Sequence, residues 1–400
     1  MGLVTTNVDP VAKIKVVGVG GGGCNAVNTM ITDYDITGVD FMAFNTDAQA
    51  LKMSQAPTTL QLGEELTKGL GVGGNAELGA QAAEESLDQV QELLEGANMV
   101  FITAGMGGGT GTGAAPIIAG VARNMGALTV AVVTKPFDFE GNKRREIAEE
   151  GIANLRDKVD TLIVVPNQRL LEVVSDSENI SFIDAMKKVD SVLAEGVNSI
   201  SNLISKTGYI NADFNDAKSV MQNAGTALMG IGRASGENRA EEAARAATTS
   251  PLLDMSIEGA TGVLYNVVGA NLTLQEISRV SDLIKEAVDP SANIKFAAQV
   301  DPEAGDELII TIVATGFDEN KQIYTSKARN EGDLPPIRDF GFTTQPSTPT
   351  PTVEDTLDSF DDKSTEEADE IVEDDTFDAI KPEDIDAEDP LDVPAFMRKK

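Results

Sequence analysis

The sequence predicts an α/β fold: a parallel-sheet domain, a long central helix, a smaller second α/β domain and an acidic tail. Three observations carry that prediction. Near-continuous Val/Ile/Ala/Phe runs alternate with helical patterns through the first half of the chain, as expected of a parallel sheet covered on both faces. One amphipathic pattern, 181–206, is longer than the others and separates this region from a second set of strand and helix candidates. From about Gly316 the apolar periodicity fades, and from Thr343 it is gone.

Strand candidates lie at Ile14–Val19, 40–45, 99–103, 129–134 and 162–166, with helical stretches at 76–94, 114–125 and 144–156 between them. Together they predict a first domain over 13–180, behind a flexible N-terminus at 1–12. The central helix at 181–206 carries Ile183, Met186, Val189, Val192, Leu193, Val197, Ile200 and Ile204 at three-four spacing. That spacing is the pattern of a buried stripe. A loop and a helix fill 207–223. Strand candidates at 224–230, 262–268, 294–300 and Glu307–Thr315, with helices near 239–247 and 273–288, make the second domain, 224–316.

Between Thr343 and Asp392, nineteen Asp and Glu face only Lys363 and Lys381, half of the chain's formal net charge of −34. Low hydrophobicity with dense like charge cannot offset chain entropy, so 317–388 is expected to be a disordered, self-repelling linker. The last residues differ. Over 389–400, Pro394, Phe396, Met397 and Arg398 place apolar and basic groups behind the acidic run. A short apolar-basic tip on a flexible tether suits a docking peptide that orders on binding.

Composition removes several classes of function. The chain has no His and one Cys, so imidazole acid-base chemistry, Ser-His and Cys-His nucleophile pairs and most zinc sites are excluded. A single cysteine cannot close an intrachain disulfide, which fits a reducing, cytoplasmic compartment. No basic cluster exceeds Lys143-Arg144-Arg145 apart from the terminal Arg398-Lys399-Lys400, so nucleic acid is not expected as a partner. No run approaches the roughly 20 apolar residues of a membrane span, and direct membrane insertion is not expected. The first residues, Met1 to Thr6, fit only the loose pattern for myristoylation and lack a signal-peptide design.

Two glycine-rich loops carry the chemistry. The first, Gly18 to Val27, follows the strand Ile14–Val19 and opens a helix. Glycines let main-chain N–H groups approach phosphate oxygens, and a helix N-terminus favours negative charge there. Gly18, Gly20 and Gly23 also satisfy the Rossmann-type dinucleotide fingerprint, with Asp40 or Asp47 as a possible ribose partner. Alone, this loop leaves a nicotinamide oxidoreductase and a nucleoside triphosphatase both open. The second loop, Ala104 to Gly113, has six glycines and two threonines in ten residues and again lies between a strand and a helix. A second anion cradle beside the first suits a triphosphate, and the chain contains no Gly-x-x-x-x-Gly-Lys-Ser/Thr motif.

The run Gly107-Gly108-Gly109-Thr110-Gly111-Thr112-Gly113 resembles the signature loop of the tubulin superfamily. With Asn45-Thr46-Asp47, Thr134-Lys135-Pro136-Phe137 and the tail tip, the chain resembles the branch of that superfamily that acts in bacterial cell division. The resemblance spans Ile14 to Thr315 and resumes at 389–400. It implies a Rossmann-like GTPase domain binding GTP or GDP with Mg²⁺ carried by the nucleotide, and a head-to-tail homopolymer that scaffolds the division ring at mid-cell. It implies that Gly20, Gly21, Gly22, Gly23, Cys24 and Asn25, with Gly107, Gly108, Gly109, Thr110, Gly111 and Thr112, hold the phosphates. Glu140 and Arg144 are implied near the ribose and phosphates, Asn45, Asp47 and Asn167 as further nucleotide-binding residues, and Asn25 and Asp190 at the guanine, with Phe182 against the base.

A fork-shaped phosphate donor is what elementary chemistry also asks of Arg144. The resemblance further implies that Asp213 and Asp216, assisted by Asn211, orient water on the nucleotide of the neighbouring subunit. The family's usual Asp-Phe-Ala-Asp carries Asn215 in place of the alanine here, with both carboxylates kept. The tip at 389–400 is implied to dock on membrane-tethering and regulatory division proteins. Cys24 reads either as a reactive thiol at a helix N-terminus or as a small hydrophobe filling a tight position.

Overall fold

The computed structural model describes residues 12–34, 36, 38–170, 181–205, 210, 212–250 and 256–317. The expected N-terminal segment up to residue 11, Asn211, the acidic linker from residue 318 and the docking tip lie outside the described residues.

The chain runs β1 (Ile14–Val19), α1 (Gly20–Asp33), β2 (Val39–Asn45), α2 (Ala48–Lys52), β3 (Thr58–Gln61) and α3 (Glu64–Thr67). It continues through α4 (Ala76–Glu85), α5 (Leu87–Leu94), β4 (Met99–Gly105), α6 (Thr110–Asn124), β5 (Leu128–Lys135), α7 (Asn142–Arg156) and β6 (Thr161–Pro166). The central helix α8 (Phe182–Ser205) and α9 (Phe214–Met221) lead to β7 (Gly225–Ser235), α10 (Arg239–Thr248) and β8 (Gly262–Gly269). The second domain closes with α11 (Leu274–Ala287), β9 (Asn293–Val300) and β10 (Glu307–Thr315).

The ten strands among the described residues join one sheet in the order β3-β2-β1-β4-β5-β6-β7-β10-β8-β9. From β3 to β6 every pairing is parallel. β7 continues that direction over the short pairing of 161–163 with 225–227, after which β10 runs antiparallel to both β7 and β8. The parallel half needs a crossover after each strand, and the helices that supply them cover both faces.

Alternation along the strands divides the core. Val16, Phe101, Val130 and Val132 face one layer with α1 and α8, whereas Val17, Ile102, Ala131 and Val133 face the other with α4, α6 and α7. Each fully buried Val, Ile or Phe is worth about 1.5–3 kcal/mol against an exposed position. A third core joins Tyr265, Ile310 and Ile312 to α10 and α11.

The sequence reading holds for every strand it placed; it has no counterpart for α2, β3 and α3 and departs in three further places. The stretch 76–94 is two helices, broken at the buried Ser86, whose Oγ accepts the Gly63 N–H at 3.0 Å. The helix expected at 114–125 begins earlier, at Thr110, because the end of the second glycine loop forms its first turn. Ile183, expected in the buried stripe of α8, is 66% exposed, since the first turn of that helix extends past the core. Val189, Val192, Leu193, Val197 and Ile200 are buried as expected.

Candidate nucleotide site

Two helix N-termini converge at one end of the parallel strands. α1 begins at Gly20 with no side-chain cap on its first N–H groups and no acidic residue in its first turn. α6 begins at Thr110 in the same state. Uncapped N–H groups and the positive ends of two helix dipoles therefore face one space, which is a site for a polyanion. Gly20 has φ +71°, and a Cβ there would lie 2.7 Å from the Gly111 nitrogen, so the two loops pack backbone to backbone. Gly21 and Gly108 have no atom within 4 Å of a Cβ position.

The loops are braced from behind. The Thr46 and Thr110 hydroxyls share a buried hydrogen bond of 2.7 Å, and Gly107 N–H donates to Thr112 Oγ1 at 2.9 Å. Gly20, Gly23, Gly107 and Thr112 shape the cradle without lining the cavity in front of it. At Gly23 a Cβ would run into the Thr103 carbonyl, so this glycine is required by the close approach of α1 to β4. The Cys24 side chain turns into the core, with its Sγ 3.7 Å from the Gly18 oxygen and 3.8 Å from the Phe44 oxygen. Burial pushes its pKa up to about 12. Cys24 is thus packed as the small hydrophobe of the two readings.

The cavity has a volume of about 480 Å³ and is lined by Gly21, Gly22 and the 108–111 loop at the phosphate end. A third glycine segment that the sequence reading passed over completes this end. Gly71, Val72, Gly73 and Gly74 line it, and Val72 and Asn75 lie against Gly109. Four glycines in 69–74 directly before α4 were the available signal.

Asn45 and Asp47 line the wall from β2. Asp47 Oδ1 also caps α2, accepting from Gln49 N–H at 2.8 Å and Ala50 N–H at 3.3 Å. Asp40, the other ribose candidate, is exposed on β2 and does not line the cavity. Arg144 is the one cationic side chain among the described lining residues, and it meets Glu140 Oε2 at 3.0 Å. Glu140 is itself held by Phe137 N–H, which donates to its Oε1 at 2.9 Å. The opposite wall comes from Asn25, Asn167 and three residues of α8, Met186, Val189 and Asp190. Asn167 Oδ1 is buried without a hydrogen-bond partner, a group that a ligand in the cavity would satisfy. Desolvation pushes the Asp190 carboxyl up to about 7. The Phe182 side chain lies outside the described residues.

Asp213 and Asp216 are not among the residues that line this cavity. They form a reciprocal capping box at the start of α9: Asp216 N–H donates to Asp213 Oδ1 at 2.8 Å, and Asp213 N–H donates to Asp216 Oδ2 at 3.2 Å. Lys295 Nζ lies 2.8 Å from Asp216 Oδ1. Asn215 is exposed.

Among the described residues no group of three or more Asp, Glu, His or Cys is placed to hold a metal ion, and no helix is long and apolar enough to cross a membrane.

Comparison with known proteins agrees with this geometry. Residues 13–175 match the model of the Tubulin/FtsZ family, GTPase domain, and residues 225–318 match that of the FtsZ family, C-terminal domain. An empty FtsZ dimer from M. jannaschii is 44% identical, with 76% of this chain and 88% of that chain covered and a TM-score of 0.73. A single-substitution variant of FtsZ from the same organism is also 44% identical, covering 77% of this chain and 92% of that one, with a TM-score of 0.73. CetZ2 from Haloferax volcanii, solved as a GTPγS-bound protofilament, shares the fold at 20% identity, with coverage of 80% and 98% and a TM-score of 0.66.

Proposed function

The chain belongs to the Tubulin/FtsZ family of GTPases, and from that premise we propose that it polymerises head to tail and hydrolyses GTP where two copies meet. As a member of the family it binds and hydrolyses GTP. The observation that carries the rest is the separation of the cavity from the Asp213–Asp216 pair, which does not line it. Phosphoryl transfer needs a positioned water and charge stabilisation, with little covalent help from the protein. A site that holds the triphosphate without those carboxylates is completed by a second copy bringing Asp213 and Asp216, with Asn211 assisting. Such a heterologous contact propagates as an open filament. The related FtsZ solved as a dimer is in keeping with self-association.

In this reading the α1 and α6 N-termini hold the phosphates, Arg144 bonds a phosphate or ribose oxygen, and Asn167 faces the ribose or base. Asp190, with Asn25, accepts from the guanine N1 and N2 hydrogens, which adenine cannot supply. Mg²⁺ would enter with the triphosphate and offset its negative charge. The filament serves as the cytoplasmic scaffold of the division ring at mid-cell. The tip containing Pro394, Phe396, Met397 and Arg398 docks on membrane-tethering and regulatory partners.

GTP turnover per subunit, measured against protein concentration with sedimentation alongside, tests the central claim. Specific activity is expected to rise with concentration and to track pelleted protein. Turnover independent of concentration overturns hydrolysis at the contact.

A further inference from the structure

Strand β9 backs the Asp213–Asp216 segment at three points. Ala298 N–H donates to the Ile210 carbonyl at 3.0 Å, so the chain entering the segment is pinned to the strand. Lys295 Nζ meets Asp216 Oδ1 at 2.8 Å. Asn293 Nδ2 reaches Ser219 Oγ, one turn further along α9, at 3.5 Å. Asn293 and Lys295 are two residues apart on one face of the strand, while Phe296 on the other face stacks on Tyr265 with ring centres 5.5 Å apart.

A capping box alone leaves a carboxylate free to rotate, because one N–H donor constrains only one oxygen. Asp216 has both oxygens engaged from different directions, Oδ2 by Asp213 N–H and Oδ1 by Lys295. Each carboxylate oxygen has two lone pairs, so acceptor capacity remains for a water. We propose that Lys295 is a positioning residue for GTP hydrolysis, the fixed cation that orients Asp216 of the catalytic segment for the neighbouring copy's nucleotide. This rests on the assignment of Asp213 and Asp216 to hydrolysis made above.

The electrostatics agree with the geometry. The Lys295 ammonium is the largest influence and holds the Asp216 carboxyl below its ordinary value; burial opposes it, and the Asp213 N–H adds to the lowering. The other elements packed on α9 bring no charge against it. β8 has Tyr265, bonded to Ser281; Lys135 of β5 pairs with Glu149; and of the charged side chains among the described residues Lys295 alone acts on Asp216. Lys218 is the one cation on α9 itself.

The test compares Lys295→Met, Lys295→Arg and Asp216→Asn by polymer GTPase activity across pH, with pelleting and nucleotide binding measured in parallel. Lys295→Met is expected to bind GTP and pellet normally, to lose about tenfold in kcat with KM little changed, and to move the acid limb of the pH profile upward. Lys295→Arg is expected to restore the wild-type limb, an effect that a purely structural role would not produce. If Lys295→Met does not pellet, Lys295→Gln carries the same comparison, keeping a hydrogen-bond donor without the charge on a side chain one atom shorter. An unmoved acid limb and unchanged kcat, alongside inactive Asp216→Asn, overturn the role of Lys295. Full activity in Asp216→Asn overturns instead the assignment on which it rests.

Discussion

The Thr46 hydroxyl meets the Thr110 hydroxyl at 2.7 Å in the wall of the phosphate cradle, joining the end of β2 to the first turn of α6. The two residues are 64 apart in sequence, and the bond fixes where the second glycine loop begins its helix. Thr46→Val keeps the shape and leaves the Thr110 hydroxyl without that partner. An unsatisfied buried hydroxyl costs about 1–3 kcal/mol. GTP affinity by titration is therefore expected to weaken roughly tenfold, each factor of ten being about 1.4 kcal/mol, while Thr46→Ser stays near wild type.

Gly20 and Gly108 separate folding from binding. Alanine at Gly20 meets the Gly111 nitrogen at 2.7 Å in a backbone conformation with φ +71°, so Gly20→Ala should lower Tm as well as abolish nucleotide binding. Alanine at Gly108 meets no protein atom within 4 Å. Gly108→Ala should melt like wild type and still lose GTP affinity, because its methyl occupies space beside the phosphates. Equal melting losses in both variants would contradict this reading of the cradle.

Asp190 makes guanine binding pH-dependent. Its folded-state pKa is raised to about 7 by desolvation, so in the empty protein the carboxyl is neutral below that pH. Only the ionised form accepts from both guanine N–H donors, so GTP affinity should fall several-fold as pH drops from 8 to 6. The linkage to stability runs the other way. A raised carboxyl pKa gives a contribution present below the unfolded value near 3.8 and lost as pH rises through about 7. Asp190→Asn should thus stabilise the ligand-free protein above pH 7, flatten the pH dependence of binding and reduce discrimination against ATP. A Tm unchanged at pH 8 would count against a buried charge at this position.

Much of this arrangement was legible in the sequence, and the residues that were not share a cause. Gly18–Gly23 and Gly105–Gly113 could be read because a strand run precedes each and a helical pattern follows. The glycines at 69–74 carry no such signal, because the strand upstream, Thr58–Gln61, is short and has two threonines and a glutamine. The break at Ser86 is invisible locally, since Ala76 to Leu94 has good helical periodicity and the interruption accompanies a bond from Gly63, 23 residues away. Periodicity also says which residues share a face and not where that face leaves the core, so it puts Ile183 in the stripe although its side chain is exposed. The Asp213–Asp216 capping box is local and readable. Its partner Lys295 lies 79 residues further on, and only the course of β9 brings the two together.

Cys24 offers a check on packing beside the phosphates. With its pKa pushed up to about 12 by burial, almost none of the thiol is ionised at pH 8. Iodoacetamide should leave the folded protein unmodified over hours and label it stoichiometrically in denaturant. Rapid labelling of the folded protein would mean that α1 opens at the first glycine loop.

The decisive prediction concerns which copy supplies the carboxylates. Asp213→Ala retains the whole cavity and lacks one carboxylate, whereas Gly108→Ala retains the carboxylates and lacks nucleotide affinity. Each variant alone should hydrolyse GTP at no more than a few per cent of the wild-type rate. In a mixed filament, a Gly108→Ala subunit can present Asp213 and Asp216 to the GTP held by an Asp213→Ala neighbour, and those contacts are complete. Mixing the two inactive proteins at equal concentration should therefore restore turnover well above the sum of the separate rates, with co-pelleting of both. If each active site were completed within one chain, no contact in the mixture would hold both a bound nucleotide and an intact pair, and activity would stay at the sum. Co-pelleting without recovered turnover would place the attacking water under groups of the same chain that holds the GTP.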